Sequence, residues 1–470
     1  MKRYLFSFLL MPVLALGIIL PACGGDDGLT EDGKISLTFY GWGSLDEQEN
    51  YTELVNYYNE HNTMNVRVRY RAVDETSFNS TLSTTVRNYD VFYMPDYSFY
   101  YYVSAGRLQR LDDPSLTNHV TSEETEPIWD KAINMYRYDS STQTIGTGAL
   151  YGLPKDLGPY TLVYNKDLLN QIVEFSNGSV SLPSGSVPMT FTELTNYLVS
   201  IQNVLDNPDF KEEIGKTGTD LYAISSYEIM PAVYSNNSDF YKADNPRESN
   251  ITDKNFTDAI QFIADLNLEY GVMPDASKQT ASDGFNRFLS GNCVFTNMGP
   301  WDMKTFWASN FDFDIIPVAK GDVEGAKSTA WVGSVAYCIS PTSRHKEEAL
   351  DFIKFLALDE YSNREFYELG QAVPNIEEMA KTDFVNDVGI SDESHKRPEN
   401  KKLFVDIISG DNPEINGKNR AAYYCPSPNP YNNLLSSLTN VWTGEETAAE
   451  WASRYNSTFQ ADLDTAYRYF

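Results

Sequence analysis

The sequence predicts an α/β protein with parallel strands, and three observations carry that expectation. After residue 34 the apolar period switches repeatedly between two and about 3.6; the chain is 470 residues long with 41% hydrophobic side chains, enough for two or three folding units; and no internal repeat interrupts the pattern. Ile35, Leu37 and Phe39 alternate with polar residues, so they form a strand. Tyr51, Leu54, Val55 and Tyr58 fall at i, i+3, i+4 and i+7, the face of a helix. Val66, Val68 and Tyr70 alternate again, Phe78, Leu82 and Val86 recur every fourth residue, and Val91 to Met94 is a short apolar run. A β-α-β-α-β order implies parallel strands with right-handed crossovers, and ligands bind outside the carboxyl ends of such strands. The segments to read for function are therefore Gly41-Trp42-Gly43-Ser44 and Pro95-Asp96-Tyr97. Further on, residues 347–356 read as a helix, and Thr447 with Glu450 forms a capping box ahead of a stripe of Trp451, Tyr455, Phe459 and Leu463. Residues 177–188 and 239–252 are polar and without period, and read as surface loops.

Residues 1–22 read as a secretory signal. Lys2 and Arg3 precede an apolar run from Leu5 to Leu20, and small Ala22 stands before Cys23. Leu20-Pro21-Ala22-Cys23 resembles a bacterial lipobox, which makes Cys23 the expected lipidation site and 23–34, rich in Gly and Asp, a flexible tether. The expected location is extracytoplasmic, anchored by lipid to a bacterial membrane, in the periplasm or at the cell surface. The full chain carries 66 acidic against 36 basic side chains, a formal charge of -30. That charge repels phosphate backbones and anionic head groups, so no nucleic acid and no direct membrane docking are expected. With 32 Tyr, 25 Phe and 7 Trp the chain nevertheless has many flat rings to offer a ligand. Cys293, Cys338 and Cys425 allow at most one intramolecular disulfide; they read either as small buried hydrophobes or as one bridge and a spare thiol.

Catalytic patterns are mostly missing. His61, His119, His345 and His395 are scattered, with no metal-ligand spacing, and no Ser has Gly at both -2 and +2. Residues 321–328 (GDVEGAKS) only approximate a phosphate-binding loop. No metal and no cofactor are expected. Paired carboxylates remain open among so many acids, which keeps a secreted glycan-degrading enzyme as the alternative reading.

Residues 151–160 (YGLPKDLGPY), running on to Tyr164-Asn165-Lys166-Asp167-Leu168, resemble a signature of the family 1 extracellular solute-binding proteins of ABC importers, the relatives of maltose-binding protein. Three further segments are similar to that family in its own order: 288–301, ending in Gly299-Pro300-Trp301; 331–356, from Trp331-Val332-Gly333-Ser334 into the helix; and Val373-Pro374 with Val441-Trp442-Thr443-Gly444. The resemblance spans nearly the whole mature chain. It implies a two-lobed periplasmic-binding-protein fold of type II character, catalysing nothing, with discontinuous lobes joined by hinge crossovers: 35–155 plus 335–375, and 156–334 plus 376–470. It implies a monomer that captures a carbohydrate, an oligosaccharide, between the lobes and delivers it to ABC permease subunits. A non-sugar solute, or a sensor as recipient, are variants on the same fold. By the same resemblance Trp301 stacks on sugar and Tyr227 is an aromatic contact of the second lobe. Trp42, Ser44, Asp96, Asp156, Tyr160, Trp331 and Gly333 are expected in the cleft from their places after strands or at crossovers, and Glu228, the neighbour of Tyr227, as an acceptor of hydroxyl bonds. The position nearest the relatives' crossover Glu is Gly158, which argues against maltose itself.

Overall fold

The computed structural model of the protein describes residues 29–30 and 33–468; the expected signal and Cys23 lie outside the described residues, as does most of the tether. A five-stranded sheet forms one lobe. Its first strands and helices are β1 (Ile35–Trp42), α1 (Leu45–His61), β2 (Val66–Val73), α2 (Glu75–Thr85), β3 (Val91–Pro95) and α3 (Asp96–Ser104). β1 pairs in parallel with β2 from Ile35↔Val66 to Trp42↔Val73, and with β3 at Phe39↔Val91. The first two helices start at side-chain caps. The Ser44 hydroxyl accepts the Glu47 N–H at 3.2 Å, and Asp74 accepts the Ser77 N–H at 2.9 Å, supplying partners to amides that the first turn leaves without one. α1 buries Tyr51, Leu54, Val55 and Tyr58, the stripe its period demands.

Two late segments complete this sheet. Strand Val335–Ile339 lies antiparallel on β3 with Val335 opposite Pro95, and Leu153–Pro154 pairs with Val335–Ile339 in turn, Pro154 opposite Ala336. Both crossovers therefore enter or leave the sheet at the carboxyl ends of β1 and β3. The second lobe holds a four-stranded sheet in the order 222–224, 293–298, 161–165, 313–316. A smaller sheet stands at the crossing: Ser328–Gly333 pairs in parallel with Ile415–Asn419 and antiparallel with Gly158–Pro159, so that Gly333 faces Gly158.

The last long helix, Ala448–Ala466, has the expected Thr447–Glu450 capping box and buries Trp451, Tyr455, Phe459 and Leu463. Burying such side chains stabilises by about 1.5–3 kcal/mol each. The segment 239–252 departs from the expected loop, because Tyr241–Lys242 and Asn245–Ser249 pair as a short antiparallel hairpin. Its order comes from afar: Ser249 N–H donates to the Gln460 side chain at 2.9 Å, and Ser249 Oγ to Asn456 at 2.7 Å. Within the paired strands only Tyr241 and Ser249 are buried, with Phe240 and Ile251 buried just outside them, so the strands lack an apolar period. Cys293, Cys338 and Cys425 are free and buried. Among the described residues no helix is long and apolar enough to cross a membrane.

Candidate ligand cleft

A cleft of about 590 Å³ opens where the crossovers meet the carboxyl ends of β1 and β3. Trp42, Ser44 and Glu47 line it from the first lobe, Trp301 and Asp302 from the second, and Lys155, Asp156, Gly333 and Arg420 from the crossover region. The half-buried Trp42 ring is held edge-on against Tyr93 at 5.1 Å and tilted against Phe78 at 4.7 Å. Ser44 both borders the cleft and caps α1, so a hydroxyl needed by the helix is also on the cleft wall.

The floor is ionic. Lys155 Nζ lies 2.7 Å from Asp156 Oδ2 and 3.1 Å from Glu47 Oε1, and faces the rings of Tyr51 and Tyr93. Burial alone would drive the proton off this ammonium; Asp156 and Glu47 overcome it and hold the group above the ordinary lysine range. Glu47 is pushed up by burial and drawn partly back by Lys155. Asp156 is spoken for on its other side as well: Oδ1 accepts the Val335 N–H at 3.0 Å, and its carbonyl accepts the Ser334 hydroxyl at 2.5 Å. It thus ties two crossovers together while presenting an edge to the cleft.

Three nearly parallel rings stand at the second-lobe edge. Trp331 stacks on Tyr160 at 4.6 Å and on Trp301 at 5.9 Å, with interplanar angles of 22° and 24°. The Arg420 guanidinium lies 4.2 Å from the Trp331 ring centroid, with Nε 3.8 Å from Asp96 Oδ2. A cation over a tryptophan face contributes about 0.5–2 kcal/mol depending on desolvation. Two glycines leave room for this assembly. A Cβ at Gly158 would lie well inside contact distance of the Trp301 ring, and one at Gly333 inside that of the Arg420 guanidinium.

Five expected contacts stand elsewhere. Asp96 is buried, and its carboxylate accepts the N–H groups of Tyr97 at 2.7 Å and Ser334 at 3.3 Å, so it braces the crossover instead of facing the cleft. Trp331 is buried inside the ring stack, where it backs Trp301 without lining the cleft. Tyr160 is likewise part of that support. Tyr227 is buried with its hydroxyl accepting the Ala319 N–H at 2.9 Å and its ring edge-on to Phe262; with Glu228 it lines a separate second-lobe cavity of about 420 Å³. Glu228 is pushed up by burial and stabilised by Arg420. Sequence reasoning missed Arg420, Asp302 and the role of Lys155. Asp302 directly follows the Trp301 signature and Lys155 lies within 151–160, so both had a signal nearby. Arg420 had none.

The lobes also touch across the cleft: Lys304 Nζ donates to the Asn50 side-chain carbonyl at 3.1 Å. Residues 53–393 match the model of a family described as bacterial extracellular solute-binding protein. The chain belongs to that family. As a solute-binding protein it is 20% identical over 378 residues to the arabinooligosaccharide-binding protein of Bacillus subtilis, covering 78% of this chain and 79% of the relative. Among solved structures, the substrate-binding protein Lmo0181 of Listeria monocytogenes in complex with cycloalternan superposes with a TM-score of 0.70 at 14% identity, over 92% of this chain and 98% of that one. The GacH receptor of Streptomyces glaucescens gives 0.68 at 19%, over 91% and 98%. The fold of this solute-binding protein is accordingly two-lobed α/β.

Asp302 gives the solute-binding protein a measurable pH signature. It is half-buried in the cleft wall and, although one carboxylate oxygen accepts the Gly299 N–H at 2.9 Å, partial loss of solvent pushes it up to about 7. An unfolded Asp titrates near about 3.9. The folded state therefore holds this proton more tightly, so the stabilising contribution is full below about pH 4 and is lost as pH rises through about 7. The difference in melting temperature between wild type and Asp302→Asn should shift steadily in favour of the variant from pH 5 to pH 8. A difference that stays flat over that range excludes a carboxyl that burial has pushed up at this position.

Proposed function

We propose that this extracellular binding protein captures an uncharged carbohydrate, an oligosaccharide, between its lobes and hands it to an ABC permease. The observation that carries the reading is the half-buried Trp301 ring lining an acid-rich cleft. A pyranose offers apolar C–H faces and a rim of hydroxyls, so a ring with nearby carboxylate acceptors matches both of its surfaces. Ring stacking contributes about 0.5–1.5 kcal/mol beyond buried area, and hydrogen bonds to charged groups about 1.5–3 kcal/mol. The charge balance supports an uncharged ligand. Asp46, Glu47, Asp74, Glu75, Asp156 and Asp302 border the cleft against Lys155, Lys304 and Arg420, and Lys155 is already neutralised by its neighbours. Uronates and sulfated sugars would enter against a negative field. Relatives named for arabinooligosaccharide, cycloalternan and maltotriose point to the same ligand class.

The remaining assignments follow from this reading. The lobes divide as 35–155 with 335–375 and 156–334 with 376–470, which agrees with the segments each large sheet draws on. The chain acts as a monomer, is held to its membrane by lipid on Cys23, and needs no chemistry of its own. Titration calorimetry of the mature protein against neutral pentose and hexose oligosaccharides should find at least one at micromolar affinity, with oligogalacturonates at least about tenfold weaker, a difference of about 1.4 kcal/mol. No binding to any sugar, with binding to peptides or polyamines instead, rules out the carbohydrate assignment and leaves the family intact. Turnover of a glycan by the purified protein would overturn the binding role.

A further inference from the structure

A larger cavity, about 660 Å³, lies between the lobes but shares no lining residue with the ligand cleft. α3 and the turn at Ala421–Tyr424 stand between the two: Arg420 faces Tyr97 at 5.9 Å near the cleft, whereas Tyr100, Tyr423 and Tyr424 line the second cavity. Its chemistry is the reverse of the cleft's. Lys131, Arg247 and Lys418 border it and, among the described residues, no Asp or Glu does, in a chain whose acids outnumber its bases 66 to 36.

The cations are held in different ways. Lys418 pairs with Asp239. The Arg247 guanidinium lies 4.9 Å from the centroid of the Tyr467 ring. Lys131, half-buried on the helix Asp130–Met135, donates to the Gly417 carbonyl at 3.1 Å, and among the described residues it makes no ion pair with a carboxylate. Withdrawing an ammonium from water without a counter-charge is costly, and burial accordingly lowers its proton affinity. The aromatic walls are fixed in place. Tyr100 donates its hydroxyl to the Gln143 carbonyl at 2.7 Å, Tyr423 to that of Met135 at 3.1 Å, and Tyr467 to that of Tyr424 at 2.6 Å. With their hydroxyls tied to backbone, these rings turn apolar surface to the cavity at little further entropic cost.

We propose that this cavity is a second ligand site, for a carboxylate borne on a six-membered ring, with Lys131 as the anion partner and the tyrosines as walls. A volume of this size suits a small molecule. Uronic acids and aromatic acids share the required chemistry, and the test separates them. It does not depend on the carbohydrate reading of the cleft. Calorimetry of the mature protein with glucuronate and with 4-hydroxybenzoate, against glucose and phenol as neutral counterparts, should show one carboxylate binding where its neutral counterpart does not; the tighter of the two identifies the source. Lys131→Met should weaken that binding at least about tenfold, about 1.4 kcal/mol, while Trp301→Ala leaves it within twofold. Arg247→Gln serves as a second variant, and melting temperatures check that both fold. Binding of neither carboxylate at millimolar concentration, undiminished binding by both variants, or loss of binding in Trp301→Ala overturns the proposal.

Discussion

Replacing Trp301 with Ala is expected to weaken oligosaccharide binding at least about tenfold, with only a small loss of melting temperature. The ring is half-buried, borders the cleft, and rests on Trp331 and Tyr160 on its inner side. Truncation removes the flat surface against which a sugar face would pack, together with its desolvation gain, so at least about 1.4 kcal/mol of binding is at stake. Stability should suffer less, because Trp331 stays covered by Tyr160 and Arg420. Calorimetry paired with thermal melts decides the matter. A large stability loss with unchanged affinity would assign Trp301 to the core.

The companion experiment adds a single methyl group. Gly158→Ala puts a Cβ where the Trp301 ring lies, and the neighbouring Pro300 leaves little room for evasion. The ring must leave its stack, so affinity is expected to fall about as far as in Trp301→Ala. The double variant distinguishes displacement from incidental strain. If the methyl acts through the ring, Gly158→Ala adds nothing once Trp301 is Ala, and the two effects are strongly non-additive. Additive losses would mean that Gly158 acts through the backbone of the crossover. The same contact accounts for a glycine at this position: the space a side chain would need is occupied by the Trp301 ring.

Much of the fold was legible because its buried residues recur with a period. α1 buries the four residues that the i, i+3, i+4, i+7 spacing selects, and the Thr447–Glu450 box marks the start of the last long helix. The site was legible only in part. Trp42 and Trp301 were identified through topology and motif, and both border the cleft. Asp96 was misjudged because position after a strand does not say which way a carboxylate turns; two crossover and helix amides turned it inward. Trp331 was misjudged for a related reason, since either face of a crossover strand can look toward the ligand. Arg420 follows Trp42 by hundreds of residues, stands in an irregular segment, and owes its place to Gly333, Trp331 and Asp96 together. No local pattern encodes a site that three distant segments define. The 239–252 hairpin was hidden for the same cause, its order residing in Asn456 and Gln460.

The antiparallel strand Val335–Ile339 also sets a timetable for synthesis. β3 is flanked by β1 on one side and by Val335–Ile339 on the other, so the first lobe cannot close its sheet until residue 339 has emerged from the ribosome. Until then β3 keeps an open edge, and the N-terminal part of the chain has its strands without their final neighbour. The sheet of the first lobe is therefore completed only after most of the chain has been made.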